Sequence, residues 1–199
     1  MDIHDYILAT IPAEIDDQDN FITIANYEGM LAAKDKIAIA QMIYHRFHGR
    51  YVKPFLFENE EYRKRYKSGF AMMASACFLI ESLESFYHGW EHTRNRGEEA
   101  FEKFFNREFA FKGVPPKDFY KNIRCGILHQ AETTGGFRIL RKGVLFDPEN
   151  RIVNAEKFLE ALEESLRAYR QKLLESEWDD KIWDNLRVKM RYIIEHCRG

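Results

Sequence analysis

The sequence predicts an all-α protein, a helical bundle with a small β-hairpin appendage, and three observations carry that prediction. Apolar residues recur at three- and four-residue spacing along most of the chain. Strand-like patterning is confined to two stretches of about four residues near positions 137 and 144. Hydrophobic residues make up 45% of the 199 positions and aromatics 15%, enough apolar surface for one domain with a substantial core.

The elements follow in order. From Met1 to Met30 there are seven acids, Asp2, Asp5, Glu14, Asp16, Asp17, Asp19 and Glu28, and no Lys or Arg. This asymmetry sets residues 1–30 apart as an acidic N-terminal arm ahead of a helical body at 31–199. Its apolar pieces, Tyr6 to Ile11 and Phe21 to Ile24, are expected to dock on the body or on a second chain, with Asp16 to Asn20 as a solvated loop between them. Ile37, Ala40, Tyr44 and Phe47 predict a helix from about Gly29 to His48, with Gly49 at its end. Asn59 offers an N-cap for a second helical segment reaching about His88. The apolar run Phe70 to Ile80 in that segment is about half the roughly 20 residues a membrane span needs, so it is read as a core helix.

Gly97 precedes a short amphipathic helix with Phe101, Phe104, Phe105 and Phe109 on one side. Gly113 and Pro115-Pro116 force a break, and Pro116 suits the first turn of a helix reaching about Ala131 that carries Phe119, Ile123 and Ile127. Phe137 to Leu140 and Val144 to Phe146, with Lys142-Gly143 between, predict a hairpin at 136–146. Asn154 caps a helix with Phe158, Leu162, Leu166, Tyr169 and Leu173 on one face, and a last helix runs from about Asp180 to His196.

A formal charge of −2 and a pI near 6.4 exclude a whole-protein basic field, so any nucleic-acid contact must be a local patch. Cys77, Cys125 and Cys197 lie far apart without a Cys-x-x-Cys pair. This argues against a disulfide framework or a thiolate zinc site and fits a reducing cytoplasm. The first ten residues have no basic segment and do not read as a secretory signal.

Chemistry concentrates in Arg124-Cys-Gly-Ile-Leu-His129, an Arg-x4-His on a predicted helix. Five residues advance about 500°, so the two side chains stand about 140° apart and about 7.5 Å along the axis. A guanidinium is always charged and grips phosphate oxygens, while an imidazole moves protons near neutrality. Together they suit phosphodiester cleavage with the RNA 2′-hydroxyl as internal nucleophile and no metal or other cofactor.

Spacing alone is weak. With 16 Arg and 7 His, chance predicts about 0.6 such pairs, and Arg191 with His196 is a second one. Context adds weight: Gly126 inside the helix marks a close approach of backbone or ligand. Lys121, Arg124, Arg138, Arg141 and Lys142, offset by Glu132 alone, form a candidate phosphate-facing patch, a solvated basic hairpin being the alternative.

Other groupings are less complete. His88 and His92 have metal-ligand spacing without a third ligand, as do Cys125 and His129, so no metal is expected. Glu81, Glu84 and Glu91 read as solvated helix acids, and Tyr62 to Lys67 as a polar helix face.

The helix Phe119 to Gln130, following a long helix with Glu81 in Leu79-Ile-Glu-Ser-Leu-Glu-Ser-Phe86, resembles the HEPN superfamily of helical bundles, recognised by an Arg-x4-6-His motif on a late helix. The resemblance covers about Asn59 to Gln130. It implies a homodimer with a composite, metal-independent endoribonuclease site, in a toxin–antitoxin, phage-defence or RNA-processing setting, with an RNA substrate and an antitoxin-type protein partner. By motif position Arg124 and His129 carry the catalytic roles, with Glu81 as the acid of the earlier helix. Cys125 departs from the polar residue that commonly follows the motif Arg. The alternative is a non-catalytic dimeric interaction domain or a nucleotide-binding domain, with no membrane association in either case.

Overall fold

A computed structural model describes residues 2–12, 20–56 and 60–197. The chain is mostly helical with two small sheets, a helical bundle with a small β appendage. In chain order the elements are β1 (Ile7–Ile11), β2 (Asn20–Thr23), α1 (Ile24–Ala32), α2 (Lys36–Phe47), α3 (Glu60–Arg65), α4 (Gly69–His88) and α5 (Gly97–Arg107). There follow α6 (Pro116–Phe119), α7 (Cys125–Gln130), β3 (Arg138–Leu140), β4 (Phe146–Asp147), β5 (Ile152–Asn154), α8 (Ala155–Glu175) and α9 (Lys181–Cys197). The chain divides into two compact units, one of residues 1–50, 85–91 and 166–199 and one of residues 51–84 and 92–165.

In the first unit the described residues ahead of α1 include two strands. β1 and β2 pair antiparallel, with Thr10 opposite Phe21 and a register shift between Ile7 and Ala9. Leu8 is fully buried, and its carbonyl accepts from the guanidinium groups of Arg46 at 2.6 Å and Arg50 at 3.2 Å. The expected loop at 16–19 lies outside the described residues.

The single helix expected over 29–48 is two helices. Thr23 and Asn26 form a capping box that starts α1 at Ile24. Lys34 then turns left-handed at φ 52°, and Asp35 caps α2 by accepting from the Ala38 N–H at 2.9 Å. In α9, Ile182, Trp183, Leu186, Met190 and Ile194 are buried, and the Trp183 indole N–H donates to the Leu173 carbonyl.

The second unit centres on phenylalanine. Phe101, Phe104 and Phe105 of α5, Phe111, Phe119 of α6 and Phe158 of α8 make ring contacts at 4.7–6.2 Å. Each buried aromatic ring contributes about 1.5–3 kcal/mol, so this cluster outweighs any single polar contact in the unit. Phe109 does not share the face expected of it. The chain leaves the helix at Glu108, Phe109 stands 84% exposed, and Phe111 takes the core position.

The expected segment from Asn59 to His88 is α3 and α4, separated at 66–68, and Asn59 lies outside the described residues. Helix α4 is long and apolar enough to cross a membrane by length and composition, and 67% of that window is buried inside the protein.

The β appendage is three-stranded rather than a hairpin turning at Lys142-Gly143. β5 lies in the middle, parallel to β3 and antiparallel to β4, so β3 and β4 do not pair with each other. The tight turn falls later, where Asp147 Oδ1 accepts from the N–H groups of Glu149 and Asn150, both at 3.1 Å, around Pro148. Arg151 follows with φ 52°. That turn reverses the chain into β5, whose Val153 is fully buried and claims the central place. Asn154 ends β5 and caps α8 through Oδ1, accepting from Glu156 and Lys157. The predicted face of α8, from Phe158 to Leu173, is fully buried.

Candidate functional site

The segment bearing Arg124 is not a uniform α-helix. Between α6 and α7, residues Tyr120–Arg124 form a π turn, whose hydrogen bonds span one residue more than those of an α-helix. Asn122 is buried in that turn; its amide donates to the Asp118 carbonyl and its Oδ1 accepts from the Thr134 hydroxyl at 3.0 Å.

The glycine at 126 has a clear cause. A Cβ there would lie 2.6 Å from the Glu132 carbonyl oxygen, because residues 132–134 fold back across the helix. The approaching backbone is the chain's own. Ala131 makes the reversal at φ 55°, and the Thr134 N–H donates to the Asn122 carbonyl at 2.9 Å.

Arg124 is brought to Glu81 of α4, 43 positions earlier, and its Nε donates to Glu81 Oε1 at 2.7 Å. The second carboxylate oxygen accepts from the Thr93 hydroxyl at 3.1 Å. The guanidinium carbon stands 5.4 Å from the centre of the Tyr120 ring. Burial disfavours the Arg124 charge, but the hydrogen bond and charge of Glu81 more than reverse this and hold its proton more firmly than usual.

Tyr120 packs against the start of α5, where a Cβ on Gly97 would come within 2.6 Å of the phenol oxygen. Burial, followed by the charge of Cys125, raises the Tyr120 phenol above its ordinary value. Burial also pushes the Cys77 thiol up, and Glu81 adds to it. Arg124 and Glu81 side chains are 19% and 12% exposed, so the pair sits at a surface and is not sealed in the core.

The His129 side chain, on α7, is exposed and makes no hydrogen bond or ion pair among the described residues. Lys121, Arg138 and Lys142 are exposed. Arg138 donates to the Asn150 carbonyl at 3.4 Å. Arg141 is committed internally: its guanidinium donates to Glu156 Oε1 at 2.6 and 2.8 Å and to the Tyr66 carbonyl at 2.8 Å.

Glu81 and Glu84 are not the solvated acids expected of this helix. Glu84 is fully buried and ion-paired with Arg107. The His88 ring stacks on Trp90 at 4.9 Å, and the second Arg-x4-His pair is unlike the first, since His196 bonds the Tyr192 carbonyl and Arg191 is exposed. Side chains of Tyr62 and Arg63 lie outside the described residues. Among the described residues no group of three or more His, Cys, Asp or Glu side chains converges to hold a metal, and all three cysteines are free thiols.

Sequence reasoning missed Thr93 and Tyr120. Tyr120 precedes Arg124 by one helical turn, a spacing that places an aromatic ring beside a guanidinium. Thr93 carries no such signal, since only the fold brings it to Glu81.

Arg124 binds Glu81 through Nε, and a side-chain hydrogen bond with Cys125 also favours its charged form. A part-exposed guanidinium of this kind is suited to a phosphate. Compared with protein-family models, with the curated proteins and with the solved structures, the chain finds no match.

Proposed function

We propose that the protein is a HEPN-like, metal-independent endoribonuclease in which Arg124 holds the scissile phosphate and His129 moves the proton. The observation that carries this reading is the Arg124 guanidinium, held by Glu81 through Nε, backed by the Tyr120 ring, and set on the same helical segment as an exposed histidine. A guanidinium held in this way needs little further ordering, and preorganised charge of this kind contributes most to such reactions.

In the proposed step the RNA 2′-oxygen forms a bond to phosphorus as the bond to the 5′-oxygen breaks. The 2′-hydroxyl loses its proton and the departing 5′-oxygen gains one, leaving 2′,3′-cyclic phosphate and 5′-hydroxyl ends. Imidazole serves either transfer. Dimerisation would supply a second imidazole, and the exposed Phe70 and Phe78, on one side of α4, with Leu128 on α7, offer apolar surface for it. An RNA substrate, an antitoxin-type partner and a cytoplasmic toxin or phage-defence setting belong to the same reading.

A non-catalytic dimeric interaction or nucleotide-binding domain is the second reading, favoured by the Glu81–Arg124 ion pair, which has structural value without any ligand.

The deciding experiment is cleavage of an end-labelled RNA pool in excess EDTA by the wild-type protein and by folded Arg124→Ala and His129→Ala variants. Metal-free cutting that both substitutions abolish is the expected result. Absence of cutting, or cutting that survives both, would overturn the assignment.

A further inference from the structure

The two faces of the β1–β2 ribbon differ. Directly opposed residues of an antiparallel pair lie on one face, and residues two apart in a strand share it. Thr10 stands opposite Phe21 and Ile7 opposite Thr23, so these four form one face. Ala9, opposite Ile22, belongs to the other, where Ala9 and Leu8 are buried and α2 packs against β1. On the outer face Phe21 is 57% exposed and Ile7 43%, with Tyr6 beside Ile7 at 41%. Outside the ribbon, the backbone of Asn20, Phe21 and Ile22 makes no hydrogen bond among the described residues, so that edge of β2 is open to another strand.

The charge around this face has one sign. Residues 1–30 carry seven acids and no Lys or Arg, and Glu14, Asp16, Asp17 and Asp19 fall in the stretch of sequence that joins β1 to β2. Asp2, Asp5 and Glu28 are exposed, with the His4 ring 3.4 Å from Glu28. Arg46 and Arg50 both donate to the Leu8 carbonyl of β1. A second copy docked through the same face sets acid against acid, which opposes association, and a polyanion is repelled in the same way.

We propose that this face docks an extended basic segment of a partner protein, with apolar side chains alternating with Lys and Arg. The segment adds a strand to the edge of β2, its apolar residues lie beside Phe21 and Ile7, and its cations meet the acids. The inference is independent of the nuclease reading, since it uses neither Arg124 nor His129.

The test uses the full chain and two fluorescein-labelled pools of peptides about nine residues long, long enough for one strand. Both pools have Val, Ile, Leu or Phe at alternate positions; one has Lys or Arg between them and the other Asp or Glu. Fluorescence anisotropy is read with wild type, Phe21→Ser and the double variant Asp2→Asn/Asp5→Asn, alongside melting temperature and sedimentation equilibrium. The basic pool is expected to bind wild type, more weakly as salt rises, and the acidic pool not to bind. Phe21→Ser is expected to weaken binding about tenfold and the double variant about threefold, with melting temperatures unchanged because these side chains are exposed. Methylating the main-chain nitrogens of the basic pool is expected to abolish binding.

No binding of the basic pool, equal binding of both pools, or binding that survives Phe21→Ser or the methylation would overturn the proposal. A wild-type dimer that Phe21→Ser dissociates would overturn it too, by giving the face to a second copy of this chain.

Discussion

Glu81 Oε1 accepts the Nε proton of Arg124 at 2.7 Å, joining α4 to the π turn ahead of α7 across 43 positions of sequence. Both side chains are largely withdrawn from water, so removing either strands the other. Glu81→Ala and Arg124→Ala are each expected to cost about 2 kcal/mol in urea unfolding, and the double variant about 1–2 kcal/mol less than their sum. Strict additivity would mean that the pair contributes nothing as a pair.

The glycines at 126 and 29 both stand in helices and should respond oppositely to alanine. At Gly126 the new methyl meets a carbonyl oxygen at 2.6 Å, and the obstacle is backbone that cannot rotate away. Gly126→Ala is expected to destabilise by about 2 kcal/mol or more and to disturb amide resonances of residues 132–134. Around Gly29 nothing lies within 4 Å, so Gly29→Ala is expected to stabilise by about 0.5–1 kcal/mol. Equal effects at both sites would refute the close-approach account.

In the aromatic cluster, exposure separates two phenylalanines that periodicity treats alike. Phe119 is fully buried and stacks on Phe158 at 5.2 Å, whereas Phe109 is 84% exposed. Phe119→Ala is expected to cost about 3–5 kcal/mol and Phe109→Ala less than about 0.5 kcal/mol by the same unfolding assay.

The amphipathic face of α8 was legible because its spacing is a local property: every position named for it is buried, and Asn154 caps as its side-chain chemistry suggests, whereas Ile37 and Phe109, named for the faces of two other helices, are exposed. What escaped depends on partners distant in sequence or on one competing turn. The Lys142-Gly143 step has the composition of a hairpin turn, yet the side-chain hydrogen bonds of Asp147 make a better one five residues later, and β5 then enters between the other strands. Gly126 was read correctly as a close approach, but sequence does not distinguish the chain's own returning backbone from a ligand. Arg124 and Glu81 were named from motif position. That they bond each other, that Thr93 joins them, and that Arg141 is spent on Glu156 required the fold.

Ionisation of Cys77 supplies a pH test. Burial first, then the Glu81 charge, raises the folded thiol above its ordinary 9.0, so the unfolded chain releases this proton more readily. The stability linked to Cys77 is therefore full below about pH 9 and falls as pH rises above it, by about 1.4 kcal/mol for the next unit. Unfolding free energies of wild type and Cys77→Ala, measured from pH 8 to 10, should converge by that amount; parallel curves would show that the thiol titrates equally in both states. In the native protein Cys77 should also resist an aromatic disulfide reagent to which the part-exposed Cys125 and Cys197 are open.

The basic residues around the β appendage divide by what already holds them. Lys121 and Lys142 are exposed, and Arg138 makes one long bond to a carbonyl, so their charge costs little to present to a polyanion. Arg141 is bound to Glu156 and to the Tyr66 carbonyl and must break those bonds before it reaches a phosphate. For RNA binding, Lys121→Ala and Arg138→Ala should each weaken affinity across all sequences and reduce the log–log salt slope by about 0.7, the value for one phosphate contact on a single strand. Arg141→Ala should leave that slope unchanged and instead cost about 1–2 kcal/mol of stability, because Glu156 loses its partner. A salt slope that falls with Arg141→Ala and not with the other two would mean that Arg141 leaves Glu156 to bind RNA, and would move the phosphate track to the β3 side of the appendage.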